Sequence, residues 1–104
     1  MHTLIDNHRA AIAQVCRRFG VRRLEVFGSA ARGDDFRPGH SDADFLVTFE
    51  PEAHDDLALF ADFKDALEGL LGRPVDLVER AAVEASRNFI RRRRILAEAE
   101  TVHG

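Results

Sequence analysis

The 104-residue chain has no tryptophan, no tyrosine and a single cysteine. Each scarcity excludes something. A lone Cys16 permits no disulfide within the chain and no thiolate metal cluster, and its helical surroundings read as those of a small packed hydrophobe. Without a tyrosine the chain cannot modify one of its own. No apolar run approaches the roughly 20 residues that cross a bilayer, and Met1-His2-Thr3-Leu4-Ile5-Asp6 does not have the pattern of a signal peptide. No membrane role is therefore expected, and the setting is expected to be reducing and cytoplasmic. A net charge of −3 argues against general nucleic-acid binding. No internal repeat, low-complexity tract or linker divides the sequence, and its length suits one small domain spanning residues 1–104.

What is present is ordinary in amount and uneven in placement. Hydrophobic residues make up 45% of the chain, enough for one core. Acidic residues crowd one stretch, from Asp34 and Asp35 through Asp42, Asp44, Glu50 and Glu52 to Asp55 and Asp56. Arginines crowd another, at Arg87, Arg91, Arg92, Arg93 and Arg94.

The spacing of Ile5, Ile12, Val15, Cys16 and Phe19 predicts a helix over 4–19, stopped by Gly20. Residues 23–27 alternate as a strand, Gly28-Ser29 turns out of it, and Ala30-Ala31-Arg32 suits a short helical turn. The Asp-, Pro- and Gly-rich stretch 33–40 reads as a loop, and a second strand is predicted over about 42–49. Leu57, Phe60, Phe63, Leu67, Leu70 and Leu71 form the stripe of a helix over 56–71. A short strand over 74–78 opens on Pro74 and should lie at a sheet edge. A final helix is expected over 82–100, anchored by Phe89, Ile90, Ile95 and Leu96. The expected class is α/β in the α+β sense: a small mixed sheet of three or more strands flanked by helices.

Chemistry concentrates in three places. Asp42 and Asp44 stand two apart in a strand-like run, so both would project from one face. Adjacent unpaired carboxylates repel, and aspartate is depleted in strands, so a structural role rarely selects such a pair. A divalent cation resolves the conflict. Mg²⁺ takes oxygen ligands, commonly one or two carboxylates with phosphate oxygens and water. Asp76 on a neighbouring strand would complete a two-metal clamp or serve as general base. Upstream, Gly28 allows a tight turn and the Ser29 hydroxyl can donate to a phosphate oxygen. Arg32 offers either a fork of donors to phosphate or a salt bridge to Asp34 or Asp35. His40 has no partner at metal-ligand spacing and reads as a loop residue. The blander alternative is that Asp42 and Asp44 cap a loop and face water. Metal together with phosphate points to nucleotide chemistry.

The joint pattern Gly28-Ser29-Ala30-Ala31-Arg32-Gly33, Ser41-Asp42-Ala43-Asp44-Phe45-Leu46-Val47 and Val75-Asp76-Leu77-Val78 resembles the DNA polymerase beta-like nucleotidyltransferase superfamily. Within it the similarity is to the minimal nucleotidyltransferases. It covers nearly the whole chain, although the twelve residues between Ser29 and Asp42 exceed the commoner spacing of that group. The longer loop makes any family reading of Arg37 and His40 unsafe. The resemblance implies that Gly28 and Ser29 contact a triphosphate, that Asp42 and Asp44 bind Mg²⁺, and that Asp76 is the third catalytic carboxylate. It also implies ATP as co-substrate and a partner, a HEPN-domain toxin that is silenced when AMP is transferred to its tyrosine. A binding-only antitoxin and a small-molecule nucleotidyltransferase of the aminoglycoside type are the alternatives. The arginine cluster reads as a partner-docking face or as a solvated helix face, and homo- or hetero-oligomers are both compatible.

Overall fold

The computed structural model describes residues 2–32, 42–53 and 55–104 and, at Ser29 and Arg32, the backbone alone. The loop expected over 33–40, with Arg37 and His40, lies outside the described residues. Four strands form one mixed sheet: β1 (Val21–Phe27), β2 (Ala43–Phe49), β3 (Val75–Glu79) and β4 (Glu100–His103), in the order β3-β2-β1-β4. β1 runs antiparallel to both β2 and β4, whereas β2 and β3 are parallel. The expectation of a mixed sheet with a Pro74-led edge strand holds.

Alternation along the strands gives the sheet two unlike faces. Leu24, Val26, Ala43, Phe45, Val47, Val75, Leu77 and Val102 share one core cluster. It is covered by α1 (Thr3–Asn7), α2 (Arg9–Arg18) and α4 (Leu57–Leu71) through Ile5, Ile12, Cys16, Phe63, Leu67 and Leu71. Phe63 is the hinge of this packing, with ring centroids 5.8 Å from Phe19 and 6.0 Å from Phe49. Burial pushes the Cys16 thiol up to about 12, so it remains a neutral hydrophobe, as its spacing predicts. α4 has a side-chain cap from Asp56, whose carboxylate accepts from Leu59 N at 3.0 Å. It ends at Gly72 in the left-handed region, φ +70°.

The opposite face is thinner. Phe27 and Leu46 meet Val83 of α5 (Arg80–Glu84) and Ile95 of α6 (Phe89–Glu98), with Val78, Leu96 and Ala99 at the margin. Beside them Glu25 is only 2% exposed. Its Oε2 accepts from Arg80 Nη1 at 2.6 Å and lies 3.6 Å from Arg23 Nη2, while Oε1 has no hydrogen-bond partner among the described residues. This pair ties α5 to the middle of the sheet.

Three expectations need correction. The first helix is two, because the chain leaves helical geometry at His8 (φ −109°, ψ 9°), whose Nδ1 lies 2.8 Å from Leu4 O. The final helix is also two, α5 and α6, with an Asn88 side-chain cap starting the second. Its expected last residue, Glu100, instead opens β4, which pairs antiparallel with β1. Phe89 and Ile90, expected as anchors, are 68% and 83% exposed, and Leu57 is exposed as well.

Removing one partner of a buried ion pair leaves the other charge uncompensated. Arg80→Ala should therefore lower stability by about 2–4 kcal/mol, while the double change Glu25→Met with Arg80→Met should alter it by less than about 1 kcal/mol. Urea unfolding of both variants checks the contrast.

Candidate active site

Three short segments converge where β1 ends and β2 and β3 begin. β1 delivers Phe27, which pairs with Asp44 of the antiparallel β2. The parallel register of β2 and β3 sets Asp44 directly beside Asp76. In-register neighbours point to the same face, and strands lie about 4.8 Å apart, so the carboxylates sit side by side. Asp42 precedes the first residue of β2, and Ala43 N donates to Pro74 O at 3.1 Å, closing this end of the sheet. Asp42 and Asp76 are exposed, whereas Asp44 is partly buried.

Asp44 is under strain that the sequence pattern implies but misplaces. Its carboxyl is pushed up to about 6, first by burial, then by Asp76 and then by Asp42. The neighbour across the strands thus matters more than the neighbour two residues back. Among the described residues no three His, Cys, Asp or Glu side chains converge as a ready-made metal cage. The donor set nonetheless suits a hard cation: two or three carboxylate groups at one strand end, repelling one another, with room for phosphate and water oxygens.

Gly28 closes the site from the β1 side. It has φ +70°, and a Cβ there would stand 2.8 Å from Asp44 Oδ2. The turn requires glycine, and a Cβ there would also push the Asp44 carboxylate aside. Gly28 O accepts from Ala31 N at 3.1 Å, opening the four-residue turn α3 (Ser29–Arg32). The expectation that Ser29 and Arg32 reach phosphate concerns side chains outside the described structure.

Phe27, Gly28, Asp44 and Asp76 form one wall of an open cleft of about 360 Å³, and Arg91, Arg94, Ile95 and Glu98 of α6 form the other. Gly28, Asp44 and Asp76, expected together from the sequence, line this cleft, and Asp42 is not among its lining residues. The sequence reading did not place Arg91 and Arg94 opposite the carboxylates. The signal was available, since residues 91, 94, 95 and 98 share one helix stripe, three of them charged and one apolar.

Residues 8–98 match the nucleotidyltransferase domain family. The chain is 43% identical over 85 residues to the protein adenylyltransferase MntA of Thermococcus cleftensis, covering 82% of this chain and 79% of that protein. A structure described as a minimal nucleotidyltransferase superposes with a TM-score of 0.72 at 38% identity, covering 96% of this chain and 95% of that one. A toxin–antitoxin structure with AMP-PNP shares the fold, with a TM-score of 0.65 at 20% identity over 92% of this chain and 73% of that one. This chain belongs to the nucleotidyltransferase family and, within it, to the minimal nucleotidyltransferases.

Two stability measurements test the geometry. Gly28 and Gly72 both have φ +70°, but a Cβ at Gly72 meets nothing within 4 Å. Gly72→Ala should cost about 1 kcal/mol from backbone strain alone. Gly28→Ala should cost clearly more, about 2–3 kcal/mol, because it must also displace Asp44. Equal losses in urea unfolding would contradict the close approach.

For Asp44 the sign follows from a folded-state value raised from 3.8 to about 6. The group favours the folded state below the ordinary carboxylate value, and that contribution is lost as pH rises through about 6. In EDTA, Asp44→Asn should therefore raise the melting temperature more at pH 8 than at pH 4. Allowing for partial exposure, the gain at pH 8 is roughly 1 kcal/mol, or about 4–8 °C for a chain of this size.

Proposed function

We propose that this chain is a single-domain, Mg²⁺-dependent protein adenylyltransferase that serves as the antitoxin of a toxin–antitoxin pair in the cytoplasm. It transfers AMP from ATP to a tyrosine hydroxyl of a HEPN-domain toxin. The observation that carries the reading is the register of β2 and β3, which holds Asp44 beside Asp76 under the Gly28 turn. Such an arrangement is costly to the fold and useful to a cation-bound triphosphate. Support for the substrate and partner comes from the MntA relative, whose name is protein adenylyltransferase, and from the shared fold of an MntA–HpeT toxin–antitoxin structure (TM-score 0.64, 17% identity, covering 92% of this chain and 72% of that one).

In this reading Asp42 and Asp44 hold the metal, with Gly28, Ser29 and Arg32 at the triphosphate. Bound there, Mg²⁺ neutralises phosphate charge and organises the triphosphate for in-line attack. Asp76, exposed at the edge strand, takes the proton of the acceptor hydroxyl. The hydroxyl oxygen bonds to the α-phosphorus, the bond from that phosphorus to the bridging oxygen breaks, and pyrophosphate leaves with the electron pair. The chain has no tyrosine, so the acceptor lies on another molecule.

The test is mass spectrometry of the protein encoded by the neighbouring reading frame, expected to be a HEPN-domain toxin, after incubation with the chain, ATP and Mg²⁺. The expected product carries the mass of one or more AMP groups on tyrosine and keeps it after the proteins are separated. Asp76→Asn should retain partner binding and lose the adduct. Neutralisation of the toxin by Asp76→Asn with no mass change would mean steric blocking instead. Transfer to an aminoglycoside but not to the protein would mean a small-molecule enzyme.

A further inference from the structure

Helix α6 packs on the sheet through Ile95, with Leu96 and Ala99 at the margin, yet turns charged side chains to the cleft. A helix lying on a sheet ordinarily turns an apolar stripe inward. Here the cleft-lining stripe is Arg91, Arg94, Ile95 and Glu98, while Phe89 and Ile90 point away and are exposed. Ile95 alone of the stripe is buried, and it fixes the helix over Phe27 and Leu46.

The neighbouring arginine shows what a structural role looks like in the same helix. Arg92 Nη1 donates to Glu84 O at 3.3 Å and to Ser86 O at 3.2 Å, and its guanidinium lies 4.8 Å from the Phe89 ring centroid. Arg91 and Arg94 make no ion pair or side-chain hydrogen bond with a described residue, although Asp44 and Asp76 line the same cleft. Two arginines thus face Asp44 and Asp76 across open space without pairing to them, with Glu98 on the arginine wall. Separation of this kind suits a ligand that is positive towards one wall and negative towards the other.

We propose that Arg91 and Arg94 are the phosphate-binding wall of the site, gripping the β- and γ-phosphoryl oxygens of the metal-bound nucleoside triphosphate from the side opposite Asp44 and Asp76. This assignment rests on the nucleotidyltransferase reading of the cleft. Guanidinium groups present planar forks of donors that match phosphate oxygens two at a time. A triphosphate set among the carboxylates of this cleft leaves an excess of negative charge that one Mg²⁺ does not cancel, and two arginines reduce it. A volume of about 360 Å³ lies at the small end of ligand sites, suited to a polyphosphate and its ion with the base projecting outward. During transfer, negative charge grows on the departing pyrophosphate as the bond from the α-phosphorus breaks. Two fixed guanidinium groups at that position stabilise it as it forms.

The experiment is calorimetric titration of the whole chain with ATP in Mg²⁺ buffer, comparing Arg91→Gln/Arg94→Gln with Arg87→Gln/Arg93→Gln. Both double variants remove the same charge from the same segment, but neither Arg87 nor Arg93 lines this cleft. All four side chains are exposed, so both variants should fold, and circular dichroism confirms it. The expected result is a loss of about 30-fold or more in ATP affinity for Arg91→Gln/Arg94→Gln and a change within about twofold for the control pair. Equal behaviour of the two variants, whether both weakened or both like wild type, overturns the phosphate wall and leaves the nucleotidyltransferase reading standing. Failure of the wild-type chain to bind ATP with Mg²⁺ overturns both.

Discussion

The parallel pairing of β2 with β3 places Asp44 beside Asp76, and this juxtaposition of like charges is the constraint around which the rest of the site is arranged. Asp42 adds a third negative charge at the same strand end, and partial burial of Asp44 removes the water that would screen it. The fold does not relieve the conflict with an arginine, although two stand across the cleft. It presses further, since the Gly28 turn brings backbone to within a Cβ's reach of the Asp44 carboxylate. A local arrangement this unfavourable persists only where surrounding structure enforces it.

The enforcement comes from the other face of the sheet. Ala43, Phe45 and Val47 are buried beneath α2 and α4, as are Val75 and Leu77 of the neighbouring strand. A slip of one residue in β2 or β3 would turn those side chains out of the core. Register is therefore fixed by apolar burial on one face, and the carboxylates on the opposite face follow because strand side chains alternate. The thin second layer has a different task. The Glu25–Arg80 pair and the small cluster of Phe27, Leu46, Val83 and Ile95 hold α5 and α6 close enough to wall the cleft without filling it.

Much of this was legible in the residues because the two signals coincide. Period-two alternation in β2 and β3 gives both the core face and the carboxylate face, and the Gly28-Ser29 turn follows a clear strand. Which carboxylate stands across the sheet from Asp44 was less legible. Strand pairing partners are not visible in a linear pattern, and the stronger repulsion on Asp44 comes from Asp76 across the sheet. β4 was missed for a related reason. Glu100–His103 is only four residues long, and although Thr101 and Val102 favour strands, so short a run becomes one only through pairing with β1. Phe89 and Ile90 would sit mid-helix in a helix over 82–100, but α6 starts at Phe89 and both residues are exposed. Ile95 and Leu96 pack inward as expected, while the charged side of α6 lines the cleft.

The central claim is that Asp42 and Asp44 hold a cation that carries the nucleotide's phosphates, with Asp76 beside them to take the acceptor's proton. The most direct measurement is anomalous scattering from crystals grown with Mn²⁺ and a non-hydrolysable ATP analogue. The account predicts a Mn²⁺ peak within about 2.2 Å of an Asp44 oxygen, with the polyphosphate lying between the Gly28 turn and α6. A nucleotide bound elsewhere, or a peak remote from Asp44, would contradict it.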